Sequence, residues 1–275
     1  MLIMETKNKK IRNPFPAIGK VFKYEMISVG RMILPVYAVL LALSLIIGVF
    51  VMNNNLDFDS NGDFGVVKAI ILMFAIILFS VMIVILFSVI ARRFKKSILG
   101  DEAYLNLTLP VSIGEHLCGR YLANFVWGLS YAIVMVASVL LILIRGWNRA
   151  IPRLLEKTAE FKLEYEVGFG YFFCNLLIHA LIFFMLICVF IYVTGTIIHL
   201  IGKHKTLTAV LSFATVFTLY HNIAQMLFQG LFYDSENGFL AFTKIFIRMD
   251  IYDIVWICTL SIITRLILTY RLNLE

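Results

Sequence analysis

Few side chains in this 275-residue chain could do chemistry, and most of them lie inside apolar stretches. Asn175 and His179 stand four residues apart, and His221, Gln225 and Gln229 repeat at the same spacing, with Asn222 beside them. Residues three or four apart share a helix face, so the two sets could bond across a helix pair or line a polar cavity. Polar groups at membrane depth either mark a pathway or glue helices together, and on spacing alone the glue reading carries more weight. Trp127, Tyr131 and Tyr220 are the aromatics that would wall such a cavity, and an ordinary packed core uses the same residue types. Zinc needs three or four ligands. His179 with His221 supplies two, so no metal site is expected. His116, His199 and His204 fall near the ends of apolar stretches, with no catalytic neighbour.

Other constellations are incomplete. Asp57, Asp59, Asn61, Gly62 and Asp63 approach a calcium-loop pattern, but Lys68 stands where the closing glutamate belongs. That segment reads as a solvated turn. There is no G-x-x-x-x-G-K-[ST] to cradle phosphates and no H-E-x-x-H. Ser130, in Gly128-Leu129-Ser130-Tyr131, lacks the second glycine of a nucleophile elbow. No catalytic residue is assigned, and the chain is not expected to be an enzyme by itself. Cys118, Cys174, Cys188 and Cys258 have no metal-ligand spacing and read as packing residues.

The elements that must position these side chains are membrane spans. Hydrophobic residues make up 61% of the chain and charged ones 15%, against about 25% charged in an ordinary soluble domain. Stretches of the required length, about 20 mainly apolar residues, lie near 32–52, 66–90, 121–144, 171–198, 207–232 and 251–270. The sixth is the weakest, because Asp253 and Arg265 fall inside it; both are expected near an interface, where long side chains snorkel. With both termini cytoplasmic, the N-terminal arm carries seven Lys and Arg, the 91–120 segment five, and the 202–206 loop and the C-terminal end two each. That places 16 of the 24 inside, in keeping with the positive-inside rule. The net charge of +7 therefore reflects topology and attraction to anionic lipid. No nucleic-acid-reading motif is present.

Ala17–Arg31 reads as an amphipathic helix on the inner surface: Lys20, Lys23 and Arg31 share one edge, Ile18, Phe22, Met26 and Val29 the opposite side. Glu25 falls near the apolar side, where it either pairs with a basic residue of another segment or snorkels to water. Pro35 is expected in the opening turn of the first span. Arg145–Gly170, with Trp147 in the headgroup belt, is the longest external segment, either a helix across the mouth of the bundle or a solvated arm. Phe239, Leu240, Phe242, Ile245 and Phe246 suggest a short helix dipping into the outer interface.

Between spans two and three lies a hydrophilic island, Ala91–Glu115. It opens with Arg92, Arg93, Lys95 and Lys96, and Gly100 can end the incoming helix. Pro110 breaks any helix there. Ser112 and Glu115 have capping-box spacing, which predicts a new helix from Ile113. One or two helical turns around Asp101–Thr108 would then present Tyr104, Leu105, Leu107 and Leu109 at the cytoplasmic face. That is either a docking knob for a soluble partner or a loop folded back on its own helix ends.

The run Asp101-Glu102-Ala103-Tyr104-Leu105-Asn106-Leu107-Thr108-Leu109-Pro110-Val111-Ser112 resembles the permease subunits of ABC-2 type transporters of Gram-positive bacteria. Phe22-Lys23-Tyr24-Glu25, Gly202-Lys203-His204-Lys205 and Leu272-Asn273-Leu274-Glu275 extend the resemblance over most of the chain. It implies an all-α membrane protein: one permease domain over 1–275 with six transmembrane helices, an N-terminal amphipathic interfacial helix at 17–31 and a cytoplasmic coupling helix between spans two and three. The coupling helix inserts into a cleft of a separate ATPase subunit through Asp101, Glu102, Tyr104, Leu105, Leu107, Leu109 and Pro110, with Lys203 and His204 as a secondary contact. ATP and Mg would be bound by that partner, present in two copies, and no cofactor by this chain. A second permease copy is implied, a homodimer before a heterodimer. The expected location is the bacterial plasma membrane and the expected function is export of an amphipathic or hydrophobic cargo, an antimicrobial or toxin peptide or a lipid. Trp127, Tyr131, Asn175, His179, His221 and Gln225 are the candidate cavity residues. An importer fits less well, because the E-A-A…G coupling loop of importer permeases has no match. The alternative is a non-transporting sensor or immunity module that binds peptide at its external loops.

Overall fold

The computed structural model describes residues 14–53, 64–100, 111–142, 168–201, 205–228 and 238–270, with 152, 155–156 and 158–162. Side chains are described in these ranges except at 50–72, 205–206 and 238–244. Among the described residues there is no strand. The long helices are α1 (Phe15–Asn53), α2 (Phe64–Phe94), α3 (Ile113–Ile142), α4 (Phe169–Ile201), α5 (Lys205–Phe228) and α6 (Gly238–Tyr270). All six are long and apolar enough to cross a membrane, which makes this a multi-pass membrane protein.

Helix ends follow local chemistry. Ser112 and Glu115 form the expected capping box: the Ser112 backbone N–H donates to Glu115 Oε2 at 2.7 Å, and the Glu115 N–H donates to Ser112 Oγ at 3.3 Å. At the other side of the island, α2 runs into a wider π-type turn, Lys95–Leu99, and stops at Gly100. Gly100 is extended (φ −116°, ψ −159°), so space rather than a left-handed backbone selects glycine there. A Cβ would lie 3.2 Å from the carbonyls of Lys95 and Lys96.

Two expected boundaries are absent. The interfacial helix at 17–31 is not a separate element, because α1 runs unbroken for 39 residues with Pro35 in its interior rather than in an opening turn. Membrane helices tolerate such a proline when neighbours satisfy the freed carbonyl. Within this part of α1, Lys20, Lys23 and Arg31 are exposed and Val29 is buried, and Ile18 and Val21 pack against Gly119 of α3. Likewise 239–246 is the opening of α6 itself, which continues without a break for 33 residues. No proline and no further glycine occurs between Phe239 and Tyr270 to interrupt it.

α1 and α3 run parallel along a seam of small residues. Gly119 meets Val21, Gly30 meets the Trp127 ring, and Gly48 lies against the Leu141–Ile142 backbone. Close backbone approach of this kind replaces the hydrophobic drive that lipid does not supply. α4 is the central helix. On one side Phe184 stacks on Phe87 at 5.1 Å and Tyr192 on Phe94 at 4.0 Å. On the other, Leu186, Val189, Phe190 and Val193 form a second core with Leu260, Tyr220 and Trp256. Among the described residues α5 is the least buried of the six helices and α4 the most. Cys188 packs in the core, while Cys118, Cys174 and Cys258 are exposed.

The seam makes a direct prediction. A Gly48→Ala methyl would sit 2.5 Å from the Leu141 carbonyl oxygen, a backbone atom that cannot rotate away. It should lower stability by about 1–3 kcal/mol, read as the unfolding midpoint in detergent. Gly19→Ala, with nothing within 4 Å, should lower it little or raise it.

Candidate functional site

Glu25, the one acid on the apolar side of the N-terminal helical segment, is 4% exposed. It has two partners from different helices. Arg93 of α2 approaches Oε2 at 3.6 Å and Arg120 of α3 approaches Oε1 at 3.9 Å. The expectation of a basic partner from another segment holds, and the snorkelling alternative does not. Arg120 is itself 3% exposed, and its Nε and Nη1 have no hydrogen-bond acceptor among the described residues. Burying a carboxylate or a guanidinium alone costs several kcal/mol (roughly), so charges this deep are kept only as pairs.

Aromatic and amide groups close the cluster from the α4 side. One turn beyond Arg120, Asn124 donates from Nδ2 to the Tyr192 hydroxyl at 2.8 Å. The Tyr192 ring lies between Phe94 and Tyr121, with centroids 4.0 and 5.6 Å away. Gly195 makes room for Phe94, whose ring would otherwise meet a Cβ at 3.2 Å. Four helices therefore converge at one point. At about 1.5 Å per residue, Glu25 is roughly 42 Å from the far end of α1 and Arg120 roughly 33 Å from that of α3. The hydrocarbon core is about 30 Å thick, so the cluster sits at the membrane boundary. It lies on the side where α2 departs into the island and α3 returns from it.

The proposed contact residues of the island, Asp101, Glu102, Tyr104, Leu105, Leu107, Leu109 and Pro110, lie outside the described residues, as do Lys203 and His204. The candidate cavity residues divide. Trp127 is buried beside Gly30 in the α1–α3 seam, and Tyr131 donates to the Phe79 carbonyl of α2 at 2.9 Å. Asn175 donates to the Tyr171 carbonyl of its own helix. His179 Nδ1 lies 2.7 Å from Asp250 Oδ1 of α6, so its partner is an acid on α6. His221, Asn222 and Gln225 are exposed, together with Thr215 and Thr218. At 100° per residue these five occupy one arc of α5, opposite Tyr220, which faces α4 and α6.

Asp253 corrects an expectation. It does not snorkel: it is 0% exposed and accepts a hydrogen bond from the Tyr220 hydroxyl at 2.7 Å. An aspartate has too short a stem to leave a helix-packed face, unlike Arg265, which is exposed. The sequence carried signals for the residues that were missed. Arg120 and Asn124 share a face where the third apolar stretch begins, and Asp250 and Asp253, three apart, share one where the sixth begins. Their partners, Tyr192 and Tyr220, resemble any packing aromatic. Among the described residues no group of three or more His, Cys, Asp or Glu could hold a metal ion. The chain matches no protein-family model, no curated protein and no solved structure.

Arg120→Met should cost about 3–5 kcal/mol, because it strands a buried carboxylate on Arg93 alone. Glu25→Gln combined with Arg120→Met should recover much of that loss. Unfolding midpoints of the four species in detergent give the coupling energy. Tyr192→Phe should cost about 1 kcal/mol for the Asn124 bond.

Proposed function

We propose that this chain is the membrane-spanning permease subunit of an ABC-2 type exporter, paired with a second copy and driven by two separate ATPase subunits that bind ATP and Mg. The observation that carries the reading is the Glu25–Arg93–Arg120 cluster. It locks α1, α2 and α3 together at the membrane boundary, eight residues before Asp101 and ten after Pro110. In this reading the island inserts Tyr104, Leu105, Leu107 and Leu109 into the ATPase, with Asp101 and Glu102 flanking. Closure of the two ATPases displaces the island, and the ion cluster passes the displacement to three rigid helices at once.

The exposed polar arc of α5 supports the pairing. Thr215, Thr218, His221, Asn222 and Gln225 are exposed among the described residues, and amide and imidazole groups are costly against lipid. A second copy, or a cargo passage between two copies, would cover them. The mixture of hydroxyl, amide and imidazole groups without concentrated charge suits an amphipathic peptide or lipid. The bacterial plasma membrane and cytoplasmic termini follow from the same reading and from the positive-inside distribution.

Co-purification with the cognate ATPase in lipid nanodiscs tests this. Replacing both Tyr104 and Leu107 with Asp should abolish cargo-stimulated hydrolysis at least tenfold and release the ATPase from the complex. If hydrolysis and co-purification both persist, the exporter reading fails and a peptide-sensing module takes its place.

A further inference from the structure

In the half of the bundle away from the island, three helices meet around a pair of acids. Asp250 and Asp253 are three residues apart on α6, on one face. Asp253 is fully buried and receives one hydrogen bond, from the Tyr220 hydroxyl of α5 to Oδ1 at 2.7 Å. Its second oxygen, Oδ2, is buried and has no hydrogen-bond partner among the described residues. Tyr252 is oriented away from it, donating to the Tyr220 backbone carbonyl. From α4 the facing titratable group is His179, which is already engaged by Asp250 at 2.7 Å. Among the described residues no Lys or Arg pairs with either aspartate, and Arg248, on the same helix, is exposed.

An ionised Asp253 would be a second negative charge beside Asp250, in an apolar joint, with half of its acceptor capacity empty. That arrangement carries the full cost of a buried unpaired charge. A proton on Oδ2 removes it: Oδ1 remains the acceptor for Tyr220 and the carboxyl becomes neutral. We propose that Asp253, held by Tyr220, is a proton-binding site at the junction of α4, α5 and α6. The Asp253 side chain is sealed, whereas His179 and Asp250 keep 17% and 13% side-chain exposure. The adjacent pair is therefore the side from which the proton exchanges with water. A proton is the one ligand small enough for a site with no exposed surface. Losing it would place two like charges one helical turn apart and strain the contact of α6 with α4 and α5. The site stands whether or not the chain exports anything.

Infrared spectroscopy of the full chain in lipid nanodiscs tests the proposal directly. A protonated carboxyl absorbs separately from carboxylates and amides. At neutral pH the wild type should show such a band, shifted downward in D2O and lost reversibly as the pH is raised. Asp253→Asn should remove the band. Tyr220→Phe should move it to higher frequency, because the carbonyl loses its donor. Absence of the band at neutral pH overturns the proposal, and so does a band that survives in Asp253→Asn. Should Asp253→Asn fail to fold, a band left unmoved in Tyr220→Phe overturns it equally.

Discussion

One carboxylate shared between two guanidinium groups, buried where four helices cross the membrane boundary, sets the geometry of this protein. A buried ion pair adds little net stability, because desolvation offsets most of the Coulomb attraction. What it does is penalise every arrangement that separates the partners. Glu25, Arg93 and Arg120 come from three helices, so sliding or rotating any one of them leaves a charge stranded in an apolar surrounding. The Phe94–Tyr192–Tyr121 stack and the Asn124–Tyr192 bond hold the fourth helix to the same point.

The rods that meet there are long and continuous. α1 is 39 residues and, at about 1.5 Å per residue, roughly 58 Å long, well beyond the hydrocarbon thickness. Its inner portion therefore extends past the boundary as the same rigid body that crosses the bilayer. Contact with α3 through Gly30, Gly48 and Gly119 makes these two helices a parallel pair. α2 differs in ending through a π-type turn, a departure from regular helix that often accompanies functional positions.

The two sides of the bundle are unlike. α4 separates an aromatic, ion-clasped side from a side where α5 and α6 join through Tyr220, Tyr252 and Asp253. α5 contributes little buried surface beyond these contacts and turns its polar arc outward. In lipid a polar arc is a cost rather than a neutral decoration.

Patterning at the level of single helices was legible in the amino-acid sequence. Six apolar runs, the capping box at Ser112 and Glu115, and the end of the second helix at Gly100 follow from hydropathy and backbone chemistry acting over a few residues. The misplacement of Glu25 on an apolar face was legible too, with pairing to a cation and snorkelling to water both left open. Which cations answer it was not, because Arg93 and Arg120 lie far along the chain and only packing brings them near. The same holds for His179, whose spacing pointed to the polar residues of α5 but whose ring meets Asp250, and for Asp253, which burial rather than sequence position seals. Helix continuity was also decided in three dimensions. The 17–31 and 239–246 segments carry interfacial-type patterns, yet no local breaker separates them from the spans they join. Pairing of distant polar groups depends on which helix faces meet, and a one-dimensional pattern does not contain that information.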